Sequence, residues 1–133
     1  MITSTSNAQV KRLLQLQKKS KARNEEKVFL VEGIRMFSEV PMERVEKVYV
    51  SESFYNKKKN EIRFADYQTE VLSDTVFEYV SDTKTPQGIL CIVKQKEAAW
   101  KELLDLPTPH FVVLDNLQDP GNLGTIVRTA EGA

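Results

Sequence analysis

Short apolar runs, set off by turn or capping residues and separated by stretches of helical spacing, constrain the fold of this chain more than any other feature. Val28-Phe29-Leu30-Val31 is a continuous run of strand length, and Gly33 behind it marks a turn into a helix through Met36, Phe37 and Val40 that ends at Pro41. Residues 45–50 alternate well enough for a second strand, Val71-Leu72 is a brief third, and residues 89–93, introduced by Gly88, read as a buried fourth. Ser73-Asp74 caps a short helix containing Val76, Phe77 and Tyr79, while residues 52–60, with Lys57-Lys58-Lys59, form a surface helix or a loop. Upstream, Val10, Leu13, Leu14 and Leu16 predict an amphipathic helix over residues 7–18 with a basic polar face, capped by Ser6 or Asn7. Residues 18–26 read as a linker. Strands alternating with helices imply an α/β layered domain, its sheet covered on both faces.

Residues 96–104 have the pattern of a further helix containing Trp100, and Pro107 and Pro109 break it. A boundary in this region divides the chain into residues 1–106 and 107–133. Phe111-Val112-Val113-Leu114 is a strand, residues 115–121 a loop, and residues 122–133 have helical character. A parallel strand followed by a helix needs a returning strand to bury its face, so the second part reads as a domain only begun. A chain of 133 residues is long enough for one domain with a hydrophobic core and too short for two.

Net charge is formally zero, but it is segregated: residues 1–23 carry Lys11, Arg12, Lys18, Lys19, Lys21 and Arg23 and no Asp or Glu. Such a leader suits a phosphate-rich partner, and a solvated helix face explains it equally well. Cys91 is the only cysteine, which excludes an intramolecular disulfide and a cysteine-type metal cluster and fits a reducing cytoplasm. No metal is expected, and since no apolar run approaches the roughly 20 residues needed to cross a bilayer, no membrane is expected either.

The loop from Asp115 to Gly124 leaves a strand and enters a helix with Gly121 and Gly124 close together. In open α/β sheets such loops bind ligands, and free N–H groups opening a helix favour anions. Arg128, in the first turns of that helix, could hold a phosphate or a ribose oxygen with its planar guanidinium. The loop is neither a Walker loop nor a dinucleotide fingerprint. From the residues alone it is an anion-binding loop or simply a strand-to-helix turn.

The segment Leu114-Asp115-Asn116-Leu117-Gln118-Asp119-Pro120-Gly121-Asn122-Leu123-Gly124-Thr125-Ile126-Val127-Arg128-Thr129-Ala130 resembles the first signature motif of the SpoU family of RNA methyltransferases. Phe29-Leu30-Val31-Glu32-Gly33-Ile34-Arg35, Ser81-Asp82-Thr83-Lys84-Thr85-Pro86-Gln87-Gly88 and the opening Ile2-Thr3-Ser4-Thr5-Ser6-Asn7-Ala8-Gln9-Val10-Lys11 are similar to that family's amino-terminal substrate-binding domain. The resemblance implies a three-layer α/β/α ribosomal-protein-like RNA-binding domain, followed by the first strand and helix of a knotted SPOUT methyltransferase domain. It implies S-adenosylmethionine as methyl donor, RNA as partner (ribosomal RNA first, transfer RNA as the narrower alternative), and a homodimer for the complete protein. The family's second and third motifs, which build the cofactor pocket and much of the dimer interface, would lie beyond Ala133. Alone, these residues would be monomeric, bind no methyl donor and be inactive.

By the same resemblance, Arg128 works at the ribose 2′-hydroxyl and Asn122 helps to build the catalytic site. A guanidinium is too weak an acid to serve as a base, so Arg128 is expected to position the ribose or phosphate and stabilise developing alkoxide charge. Asn122 also suits a helix cap. Candidate RNA contacts are Lys11 and Arg12 on the basic helix, Glu32 and Arg35 at the strand-to-helix turn, and Gln87. Glu32 and Arg35 could instead form a local ion pair, and Gln87 could only order its loop. Lys57 to Lys59 and Glu131 read as solvated, His110 as chemically idle and Trp100 as core. The rival readings are a non-catalytic RNA-binding module akin to a ribosomal protein and, more distantly, a phosphate-binding regulatory domain.

Overall fold

The computed structural model describes residues 1–96 and Val127. The chain divides into two compact units, Met1–Lys96 and Glu97–Ala133. The helix expected around Trp100, the strand at residues 111–114 and the loop carrying Asn122 and Arg128 lie outside the described residues.

The first unit runs α1 (Ala8–Lys18), α2 (Ser20–Glu26), β1 (Val28–Glu32), α3 (Ile34–Glu39), β2 (Val45–Ser51), α4 (Glu52–Lys58), β3 (Thr69–Leu72), α5 (Asp74–Val80) and β4 (Ile89–Lys94). The strands form one sheet in the order β1-β4-β2-β3. β4 is antiparallel to β1 and β2, and β2 is parallel to β3, so β1, β2 and β3 all run one way. Ile2 adds a parallel bridge to Leu72 outside β3.

Period-2 alternation divides the strand side chains between two cores. Leu90 and Ile92, with Val28, Tyr49 and Leu72, pack under Val10, Leu13 and Leu16 of α1 and Val76, Phe77 and Val80 of α5. Ile89, Cys91 and Val93, with Val31, Val48 and Val50, pack under Phe37 of α3, Phe54 of α4 and Phe64. Helices on both faces of a mixed sheet make the three-layer α/β/α architecture, and β4 is buried from Ile89 to Val93 because it lies between two strands and under both helical layers.

The caps explain where the helices start. Asn7 accepts the amide of Gln9 for α1, Ser51 that of Phe54 for α4, and Ser73 that of Val76 for α5. Residues 52–60 thus resolve into a short helix rather than a loop. The expected linker over 18–26 is corrected: Ser20–Glu26 is helix α2. It buries no residue fully, so it has no apolar stripe to read. Its Arg23 instead donates to the carbonyls of Leu16 (2.6 Å) and Gln17 (3.1 Å), satisfying the open end of α1. In α5 the core-facing aromatic is Phe77, whereas Tyr79 is exposed.

Candidate nucleic-acid interface

Because β1, β2 and β3 run one way, their carboxyl ends at Glu32, Ser51 and Leu72 share one end of the sheet with Gly88, which precedes antiparallel β4. Helices α3, α4 and α5 all begin at that end. Open α/β sheets bind ligands there, because loops meet and helix N–H groups remain unsatisfied.

The two motifs that flank this end in sequence are tied together in space. The Gly33 amide donates to the Ile89 carbonyl at 3.0 Å, and the Ile34 amide, first in α3, donates to Gln87 Oε1 at 2.8 Å. Ser81 Oγ donates to the Glu32 carboxylate at 2.5 Å and accepts from the Thr83 amide at 3.2 Å. Its one hydrogen goes to Glu32, so Thr83 Oγ1, 3.1 Å away, acts as donor to Ser81. The loop at residues 82–85 therefore stands exposed, Lys84 included, on a base fixed at both ends.

Beside it lies a groove of about 580 Å³ lined by the start of α3, by α4 along its length, by Asp74, Phe77 and Glu78 of α5, and by Pro86, Gln87 and Gly88. Its floor is tightly fitted. Gly88 has φ +111°, and a Cβ there would stand 2.5 Å from Ser51 Oγ and 2.6 Å from Phe54 Cβ. Asp74 joins two of the helices, accepting the Ser53 amide at 3.0 Å and the Ser53 hydroxyl through its other oxygen. Those bonds, the side-chain one foremost, hold its carboxyl below the usual carboxylate range. Lys57 and Lys58 line the groove, and Lys58 also reaches Glu61 at 2.7 Å.

The sequence-derived candidates fall in two places. Glu32, Arg35 and Gln87 gather at the groove end, where Arg35 is exposed and without a side-chain partner among the described residues. Glu32 is taken up by Ser81, and no ion pair joins it to Arg35 among the described residues. Lys11 and Arg12 belong elsewhere. Arg12 pairs with Glu26 at 2.6 Å and with Glu46 at 3.0 Å, and Glu46 lies near the start of β2, about 16 Å of strand from Ser51. Hydrogen bonds to Glu26 raise the Arg12 pKa further, the mark of a guanidinium committed to carboxylates. Lys11, one residue away, is exposed. Asn122 and Arg128 lie outside the described residues.

Sequence reasoning missed the groove, because Ser53, Asp74 and Ser51 carry no spacing signal that would join them. The lysine run read as solvated is largely so, Lys57 and Lys59 being exposed, and Lys57 and Lys58 also line the groove. Among the described residues there is no group of His, Cys, Asp or Glu arranged to hold a metal, and no helix long and apolar enough to cross a membrane.

Residues 7–91 match the MRM3-like substrate binding domain. The chain is 34% identical over 140 residues to the 23S rRNA (guanosine(2553)-2′-O)-methyltransferase RlmP of Bacillus subtilis, across 99% of this chain and 50% of that protein. It is 47% identical over 57 residues to human mitochondrial rRNA methyltransferase 3, covering 40% of this chain and 14% of that protein. Among solved structures, an RNA 2′-O ribose methyltransferase superposes with a TM-score of 0.71 at 28% identity, over 98% of this chain and 51% of that one. The chain thus spans about half the length of the Bacillus subtilis enzyme and of that structure.

Proposed function

Since the chain belongs to the MRM3-like substrate-binding family, whose matching relatives are SpoU-type RNA methyltransferases, we propose that it is the RNA-recognition half of a ribosomal RNA ribose 2′-O-methyltransferase. The observation that carries this is the groove end of the sheet. There, two sequence motifs 50 residues apart are bonded into one rigid edge beside Arg35, Lys57, Lys58 and Lys84. Cations on a fixed, concave edge position a phosphate backbone. RNA loops and bulges, whose bases can be splayed outward, fit such an edge better than a regular duplex.

In this reading the amino-terminal domain extends to about residue 106 and the methyltransferase domain begins at residue 107. Arg128 orients the target ribose and stabilises alkoxide charge as the 2′-oxygen attacks, and Asn122 shapes the loop around it. S-adenosylmethionine supplies the methyl group from a pocket beyond Ala133. The complete protein works as a homodimer in the cytoplasm, and residues 1–133 are monomeric and inactive alone. Lys11, exposed on α1, supplies a second and weaker phosphate contact.

The experiment is methyl transfer from labelled S-adenosylmethionine to ribosomal and transfer RNA, comparing residues 1–133 with the product of the whole reading frame. Activity in the longer protein alone, lost on Arg128→Lys, is expected. No activity in either, with RNA binding retained, would favour a non-catalytic RNA-binding module.

A further inference from the structure

Gln87 is held by one end only. Its Oε1 accepts the Ile34 amide at 2.8 Å, which settles the orientation of the side-chain amide: the oxygen faces α3, and the Nε2 hydrogens point the other way. Nε2 has no partner among the described residues, and Gln87 lines the groove with Lys57 and Lys58. The backbone around it leaves little slack. Gly88 follows with φ +111° and its carbonyl accepts the Ser51 amide at 2.8 Å, while Gly33, with φ +96°, would bring a Cβ to 3.4 Å from Gln87 Oε1. A two-donor group is thus fixed in direction at the wall of the groove.

We infer that Gln87 is a positioning residue of the RNA site, its Nε2 donating to an acceptor oxygen of RNA in the groove while its Oε1 caps α3. This rests on the RNA-binding reading of the same groove. The acceptor is a base carbonyl or a phosphate oxygen. Lys57 meets phosphate as a point charge, Lys58 being shared with Glu61, whereas a neutral amide of fixed direction adds what a point charge lacks, a geometric requirement on the group it meets.

The cap and the donor can be separated. Gln87→Glu keeps an oxygen for the Ile34 amide and removes the donor. Gln87→Met keeps the length of the side chain and removes both. Binding of the 133-residue chain to ribosomal RNA fragments is measured by fluorescence anisotropy at low and raised salt, with a thermal melt on each variant. Both variants are expected to bind about threefold to tenfold more weakly, the worth of one hydrogen bond, and the Gln87→Glu defect is expected to persist at raised salt, where charge repulsion is screened. A loss that is uniform over RNA sequences identifies a phosphate acceptor, and a loss confined to some sequences identifies a base. Wild-type affinity in Gln87→Glu, or a defect in Gln87→Met that follows its melting temperature alone, overturns the donor role and leaves a helix cap. If the wild-type chain binds no RNA at all, it is the reading of the groove that fails, independently of Gln87.

Discussion

Gly88→Ala is expected to destabilise the first unit much more than Gly33→Ala, and the difference between the two isolates a steric effect at the floor of the groove. Both glycines have positive φ, +111° and +96°, so both substitutions incur backbone strain of about 1–3 kcal/mol. Both also narrow the unfolded ensemble by a similar amount, which cancels in the comparison. The surroundings differ. At Gly33 the new Cβ meets only the Gln87 side chain, at 3.4 and 3.9 Å, an ordinary contact. At Gly88 it would stand 2.5 Å from Ser51 Oγ and 2.6 Å from Phe54 Cβ, and these side chains are only 7% and 8% exposed. Relief requires moving the cap of α4 or a core phenylalanine, and overpacking of that kind costs about 1–3 kcal/mol. The totals are therefore about 1–3 kcal/mol for Gly33→Ala and about 2–6 kcal/mol for Gly88→Ala, a large part of the roughly 5–15 kcal/mol by which a domain is stable. Urea denaturation followed by far-ultraviolet circular dichroism reads both. A Gly88→Ala, Ser51→Gly double variant removes the nearer obstacle and is expected to be less destabilised than the sum of the single changes. Equal costs for the two glycine variants, or strict additivity with Ser51→Gly, would refute the steric argument.

Arg12→Ala is expected to lower stability by no more than about 1 kcal/mol, since its carboxylate partners are about as exposed as the guanidinium itself, and to leave RNA affinity nearly unchanged; Lys11→Glu should do the reverse, and a large affinity loss in Arg12→Ala would show that the guanidinium leaves Glu26 and Glu46 to meet RNA. Asp74 has a folded pKa held below its unfolded value, so its contribution is fully present above the ordinary carboxylate range and is lost as pH falls through the lowered value. Asp74→Asn should flatten that acid limb of a stability-versus-pH curve, and an unchanged limb would show that the bonds to Ser53 contribute nothing. Burial pushes the Cys91 thiol up to about 12, so the native chain should resist thiol reagents at pH 8 and react as fast as it unfolds in urea; rapid labelling of the native chain would contradict the burial of β4.

The elements legible in the sequence were those whose side chains obey a period. The alternation that sends Leu90 and Ile92 to one core and Ile89, Cys91 and Val93 to the other is the composition of a doubly covered strand, and Ser73 and Asn7 are caps by residue type alone. Helix α2 was illegible for the converse reason: it is held by the bonds of Arg23 to the end of α1, and a helix that buries no residue fully leaves no apolar period. The candidate site was half legible. Glu32, Arg35 and Gln87 stand in two motifs that attract notice, but their roles depend on pairings across some 50 residues that no local pattern encodes.

Those pairings change what the motifs mean. An acidic residue at an RNA-facing edge looks misplaced while Glu32 is taken as a contact, because a carboxylate repels phosphate. Once Glu32 is bound to Ser81, the charge is turned towards the base of the loop and accepts the hydroxyl whose oxygen in turn anchors Thr83. In the proposed RNA-binding reading, the carboxylate would act on RNA only by keeping the loop that carries Lys84 in one conformation before RNA arrives. Ordering a loop in advance lowers the entropy lost on binding. Glu32→Gln can still accept the Ser81 hydroxyl and should bind nearly as well as the wild type, whereas Glu32→Ala frees the loop. Its affinity should fall although a negative charge has been removed from the interface; a gain in affinity for Glu32→Ala would mean that the carboxylate faces RNA after all.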